Sequence, residues 1–131
     1  MCPVVETITP PGTPVPIGPY SHVARAGPLI TISATAAVDP VTGELAGTDV
    51  GAQAKRIIES FKIMLATAGS DLEHILHVTV FLKDMKDFAA LNVAYRDAMG
   101  AHRPARTVVA VAYLPKPGAL LTMNLIAVTR D

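Results

Sequence analysis

Only two stretches of this chain repeat apolar residues at helical spacing, whereas six others read as strands, and that imbalance limits the layers the fold can have. Over residues 50–68 the apolar positions are Val50, Ala54, Ile57, Ile58, Phe61, Met64, Leu65 and Ala68, one stripe of a helix facing a core. Thr48-Asp49 offers the N-cap and Gly69 the stop. A second helix is predicted over 87–99, with Phe88, Leu91, Ala94, Tyr95 and Ala98 on one face and Gly100 at its end. Strands are predicted over 4–8, 21–25, 29–36, 75–82, 107–113 and 120–128, with Ala26-Gly27-Pro28 turning the first hairpin and 39–44 a second turn cluster. In the strand over 75–82, Leu76, Val78, Val80 and Leu82 alternate with Ile75, His77, Thr79 and Phe81. The order β-β-β-α-β-α-β-β predicts an α+β fold, a mixed sheet with both helices on one face. Two helices cover only one side of such a sheet, so the other side is expected to be covered by further copies of the chain.

The 131 residues suit one domain over 1–131. Half of them are hydrophobic and 17% are charged, which adds to the expectation of an oligomer. Eleven acidic residues balance eleven basic ones with no basic block, so nucleic acid is not an expected partner. Apolar runs are far shorter than the ~20 residues that span a bilayer, so no membrane association is expected. Met1-Cys2-Pro3-Val4 lacks the basic-then-apolar pattern of a secretory signal, and the lone Cys2 is read as inert, which together suggest the cytoplasm. Between Thr9 and Tyr20 five prolines remove donors and fix φ, predicting an ordered, extended loop.

Few residues carry obvious chemistry. His74 and His77 are three apart on a segment entering a strand, where they face opposite ways, and no third ligand stands at metal spacing, so no metal is expected. His22 and His102 are isolated in sequence and read as surface residues. No Gly-x-Ser-x-Gly elbow or phosphate loop is present. The run Arg103-Pro104-Ala105-Arg106 stands at the threshold of an apolar strand. An arginine there is exposed, paired, or poised for an anionic ligand, and its planar fork suits a carboxylate. Tyr20 closes the proline loop, Ser33 and Thr35 lie on the more polar side of their strand, and Asn124 interrupts an apolar one. Each is either a packing residue or part of a pocket.

Several motifs, in order along nearly the whole chain, resemble the Rid/YjgF family of reactive-intermediate deaminases. They are Ile17-Gly18-Pro19-Tyr20-Ser21; Leu29-Ile30-Thr31-Ile32-Ser33; Val80-Phe81-Leu82-Lys83-Asp84 with Asp87-Phe88, Asn92 and Tyr95; Arg103-Pro104-Ala105-Arg106; and Val111-Ala112-Tyr113-Leu114-Pro115. The resemblance implies a chorismate-mutase-like fold, a homotrimer with clefts between subunits, and cofactor-free hydrolysis of enamines and imines such as 2-aminoacrylate to a 2-keto acid and ammonia. It places the carboxylate-binding arginine on Arg106, the loop tyrosine on Tyr20 and the strand serine on Ser33. Ala34, Thr35, Val108 and Asn92 are the further expected substrate contacts. The family's water-positioning glutamate is read onto Asn124, an amide that orients water but accepts no proton near neutral pH. Val108 replaces a cysteine, and Ser33-Ala34-Thr35 a Ser-Gly-Gln. With those departures, a non-catalytic trimer that binds a carboxylate metabolite is the alternative reading. A ribonuclease or translation-inhibitor role, a label family members carry, is opposed by the zero net charge and the lack of an aromatic-basic stripe.

Overall fold

A computed structural model describes residues 4–131; Cys2 lies outside them. The strands are β1 (Val5–Ile8), β2 (Val23–Ala26), β3 (Leu29–Thr35), β4 (Ile75–Leu82), β5 (Ala105–Ala110) and β6 (Leu121–Val128), and the helices are α1 (Val50–Thr67) and α2 (Phe88–Met99). One six-stranded sheet has the order β1-β2-β3-β6-β4-β5. Every pairing is antiparallel except β4 with β5, and α2 is the crossover that a parallel pair requires. Both helices pack on one face of the sheet, as the apolar patterning predicts.

α1 forms where its stripe says it should. The Asp49 carboxylate accepts from the Ala52 N–H at 2.8 Å, satisfying one of the free donors of the first turn. Ile57, Ile58, Phe61, Met64 and Leu65 are fully buried against Ile30 and Ile32 of β3, Val78 and Val80 of β4, and Met123 and Leu125 of β6. Its C-terminus closes with paired bonds from the Gly69 N–H to the Ala66 carbonyl and from the Ser70 N–H to the Leu65 carbonyl. Gly69, at φ +82°, takes the left-handed conformation this closure needs. Arg25 of β2 then donates to the Ala68 carbonyl at 2.8 Å, tying the helix end to the sheet.

Two register irregularities redistribute side chains that strict alternation would place otherwise. Ile32 pairs with Leu125 but Thr35 with Met123, so Ser33 and Ala34 together oppose Asn124 in a bulge. Thr35 therefore points into the core, fully buried, and donates its hydroxyl to the Ser33 carbonyl at 2.9 Å. A second shift, between Ile75 and His77, turns Leu76 out, 51% exposed, and Ile75 in, so the predicted face of Leu76, Val78, Val80 and Leu82 begins with Ile75 instead. β5 starts two residues earlier than predicted. It runs in register with His77 to Leu82 and ends when β4 ends, with the Val111 N–H on the Leu82 carbonyl, so Tyr113 stands beyond the sheet and exposed. Phe88, expected on the buried face of α2, is 40% exposed beside Arg106.

The face away from the helices carries Leu29, Leu76 and Ile126 in the open, among Thr31, Thr79 and Asn124. No helix is long and apolar enough to cross a membrane among the described residues.

Candidate active site

The predicted site residues fall into two groups. Arg106 pairs in register with Val78, whose side chain is in the core, so Arg106 rises from the helix face of the edge strand β5. There it meets α2. Its guanidinium donates to the Asn92 side-chain oxygen at 2.8 Å and lies over the Tyr95 ring at 4.8 Å and the Phe88 ring at 5.8 Å. Stacking on aromatic faces holds the fork flat without using its donors. No carboxylate lies within ion-pair distance of it among the described residues. The Tyr95 hydroxyl is buried without a partner among the described residues, and burial raises its pKa against the opposing pull of Arg106 and Arg103. Val108 lies on the same side as Arg106, half-buried against the core. Arg103 instead donates to the backbone carbonyls of Gly100 and His102, closing the turn between α2 and β5.

The second group lines a cleft of about 470 Å³ on the other side of the molecule's sheet. The proline loop supplies Pro14, Val15, Ile17 and Tyr20; β3 supplies Ser33 and Ala34; Pro115 and Lys116 come from the loop before β6, and Thr122 from β6 itself. Its walls are mostly apolar, so few polar groups are available there to orient a ligand. Ala34 is brought here by the bulge. Thr35 is not, and neither is Asn124, which lies on the open face beside Thr79 of β4 and outside the lining. β6's contribution to the cleft is Thr122, 6% exposed, a residue for which the sequence offers no signal beyond its place two positions before Asn124 on the same strand face.

His22 is the second residue that sequence reasoning missed. It is 3% exposed, not on the surface. Its Nδ1 lies 3.0 Å from the Ser33 hydroxyl, and the Tyr20 ring meets it edge-on with centroids 5.6 Å apart. Burial lowers its pKa, and the Pro14 carbonyl partly opposes that. The other histidines are structural. His74 holds Asp71, whose carboxyl it keeps below the usual range. His77 meets the Thr107 hydroxyl at 3.0 Å, and His102 bonds the Ile75 carbonyl at 2.9 Å. No three metal-binding side chains cluster among the described residues.

The two groups cannot serve one ligand within one chain. β6 and β4 lie between β3 and β5, a span of roughly 14 Å at about 4.8 Å per strand, and the side chains stand on opposite faces.

A mixed α+β sheet with two helices on one face, an arginine on its edge strand and a tyrosine–serine cleft under a proline loop match the Rid/YjgF class. The chain belongs to this family: the family model described as Endoribonuclease L-PSP matches residues 11–129. It is 42% identical over 122 residues to a RutC family protein of Pyrococcus abyssi, covering 93% of this chain and 95% of that protein. It is 38% identical over 128 residues to the 2-iminobutanoate/2-iminopropanoate deaminase of Salmonella typhimurium, covering 95% and 98%. The crystal structure of the YjgF gene product of Escherichia coli superposes with a TM-score of 0.87 at 37% identity, covering 95% of this chain and 99% of that one.

Proposed function

We propose that this chain is a cofactor-free enamine/imine deaminase acting on small carboxylate-bearing intermediates of the 2-aminoacrylate type, giving a 2-keto acid and ammonia. It works as a homotrimer in which Arg106 of one subunit completes the Tyr20–Ser33 cleft of the next. The observation that carries the reading is Arg106, held by Asn92 and two aromatic rings with no acid within ion-pair distance among the described residues. The exposed Leu29, Leu76 and Ile126 on the helix-free face support a partner there.

The reaction asks little of the protein. Protonation of the enamine at its terminal carbon by solvent gives an iminium, already electrophilic at carbon, so placing the water is a large part of what the protein must do. The guanidinium takes the carboxylate with two parallel donors and fixes the C=N bond against the cleft. Water adds to carbon, the carbinolamine forms, and ammonia leaves as the carbonyl closes. Tyr20 walls the site, and the Ser33 and Thr122 hydroxyls supply the polar contacts for water.

The lining contains no aspartate or glutamate, which favours the non-catalytic carboxylate-binding trimer as the second reading. One experiment separates the two. Arg106→Ala and Ser33→Ala chains, each expected to be strongly impaired alone, are unfolded together and reassembled, and keto-acid and ammonia release from freshly generated 2-iminobutanoate is compared with that of each variant by itself. Recovered turnover supports a deaminase with shared sites. Wild-type protein that binds 2-oxobutanoate but turns over no imine supports the binding trimer.

A further inference from the structure

We propose that His22 is the proton-transfer group of the cleft, positioned to act through the Ser33 hydroxyl. This rests on the deaminase reading above and names a group it otherwise lacks, since the lining holds no carboxylate. Imine hydrolysis must remove a proton from the attacking water and return one to the departing nitrogen, and neither threonine nor an amide does that near neutral pH.

His22 has the placement for it. It sits at the floor of the cleft, 3% exposed, reaching the ligand space by way of the Ser33 Oγ at 3.0 Å from its Nδ1. The Ser33 N–H donates to the His22 carbonyl at 2.9 Å, so the two residues are locked to each other through backbone as well as side chain. The Nε2 atom is buried with no close hydrogen-bond partner among the described residues, and the Pro14 carbonyl favours a proton on the ring. A neutral ring with its hydrogen on Nε2 leaves Nδ1 as the acceptor and makes Ser33 the donor. Burial favours that neutral form. The other titratable groups lining the cleft are Tyr20, edge-on to the imidazole, and Lys116.

The proton count closes. Water bonds to the iminium carbon and gives a proton to Ser33 Oγ as the Ser33 proton passes to His22 Nδ1. The carbinolamine nitrogen then takes a proton back along the same path. The C–N bond breaks, the hydroxyl proton joins the leaving ammonia, and the products are the 2-keto acid and ammonium, with His22 neutral again.

The test is the pH profile of 2-iminobutanoate hydrolysis for wild type, His22→Gln, Ser33→Ala and Ser33→Thr, with the His22 ring followed by NMR in the wild type. The wild-type kcat is expected to fall on acidification with the midpoint at which His22 titrates. His22→Gln keeps a hydrogen-bonding group beside Ser33 but cannot titrate. It should lose about 10²-fold in kcat, with little change in KM, and lose the acid limb. Ser33→Ala, which leaves the buried histidine in place, should do the same, and Ser33→Thr should recover most of the rate. Unchanged kcat and limb in folded His22→Gln or Ser33→Ala overturn the relay while leaving the deaminase reading intact. A wild type without turnover of any imine overturns both.

Discussion

Replacing Arg106 by lysine isolates the fork from the charge. In the resting chain the guanidinium gives one bond to Asn92 at 2.8 Å and lies 4.8 Å from the Tyr95 ring centre. An ammonium in that place keeps the charge and much of the ring attraction but cannot hold Asn92 and two carboxylate oxygens in one plane. One charge-assisted hydrogen bond to the ligand is lost, worth about 1.5–3 kcal/mol, so Kd should rise roughly 10- to 150-fold. The fold loses at most the Asn92 bond, about 1 kcal/mol, and Tm should fall by about 4 °C. Titration calorimetry with 2-oxobutanoate, a stable product, reads the first quantity, and a thermal melt of the same sample reads the second. If Arg106→Lys binds within about twofold of wild type, the carboxylate is not held by a planar fork, and the assignment of Arg106 fails.

Other consequences follow from the same geometry. Asn92→Asp would set a carboxylate against the guanidinium. It should weaken 2-oxobutanoate binding by competition while leaving the melt little changed, as calorimetry and Tm together would reveal. Phe61→Ala empties the fully buried centre of α1's stripe and should cost about 3–5 kcal/mol in a urea titration. Gly47→Ala forces φ +99° on a residue whose Cβ would meet the Ala52 Cβ at 2.5 Å, and should cost about 1–3 kcal/mol by the same titration. The pKa of His22 is lowered from 6.5 by burial, so below pH 6.5 the unfolded chain binds a proton that the folded chain refuses. Stability should be flat in this respect above pH 6.5, decline as pH falls from there to the folded pKa, and then level off. Urea titrations of His22→Gln should lack that slope.

Much of the fold was legible because its main elements obey a single period. The stripe from Val50 to Ala68 and the alternation through β6 each point one way in sequence and in space. For Arg106 the residues alone left three readings open, exposed, paired or ligand-ready; its place against Asn92, Phe88 and Tyr95 comes from the β4–β5 register and α2, which no local pattern shows. What periodicity cannot show is where a strand slips. One extra residue at Ser33–Ala34 moves Thr35 from cleft to core, and one at Leu76 exchanges it with Ile75. Asn124 and Thr122 share a strand face, and only the position of the loop before β6 decides that the cleft takes Thr122. His22 was illegible for another reason: a lone histidine is buried or exposed according to what a distant segment does, here the proline loop folded over it.

The bulge in β3 has an evolutionary corollary. Upstream of it, Ile30 and Ile32 answer to α1; at it, Ser33 is bound to His22, while the Ala34 side chain faces the cleft and not the core. A substitution at Ala34 therefore changes the cleft wall without entering the core, so the wall can vary while the scaffold stays. Deleting a single residue at Ala34 would remove that freedom, because Ser33 and Thr35 would then be governed by the same alternation as the rest of the strand.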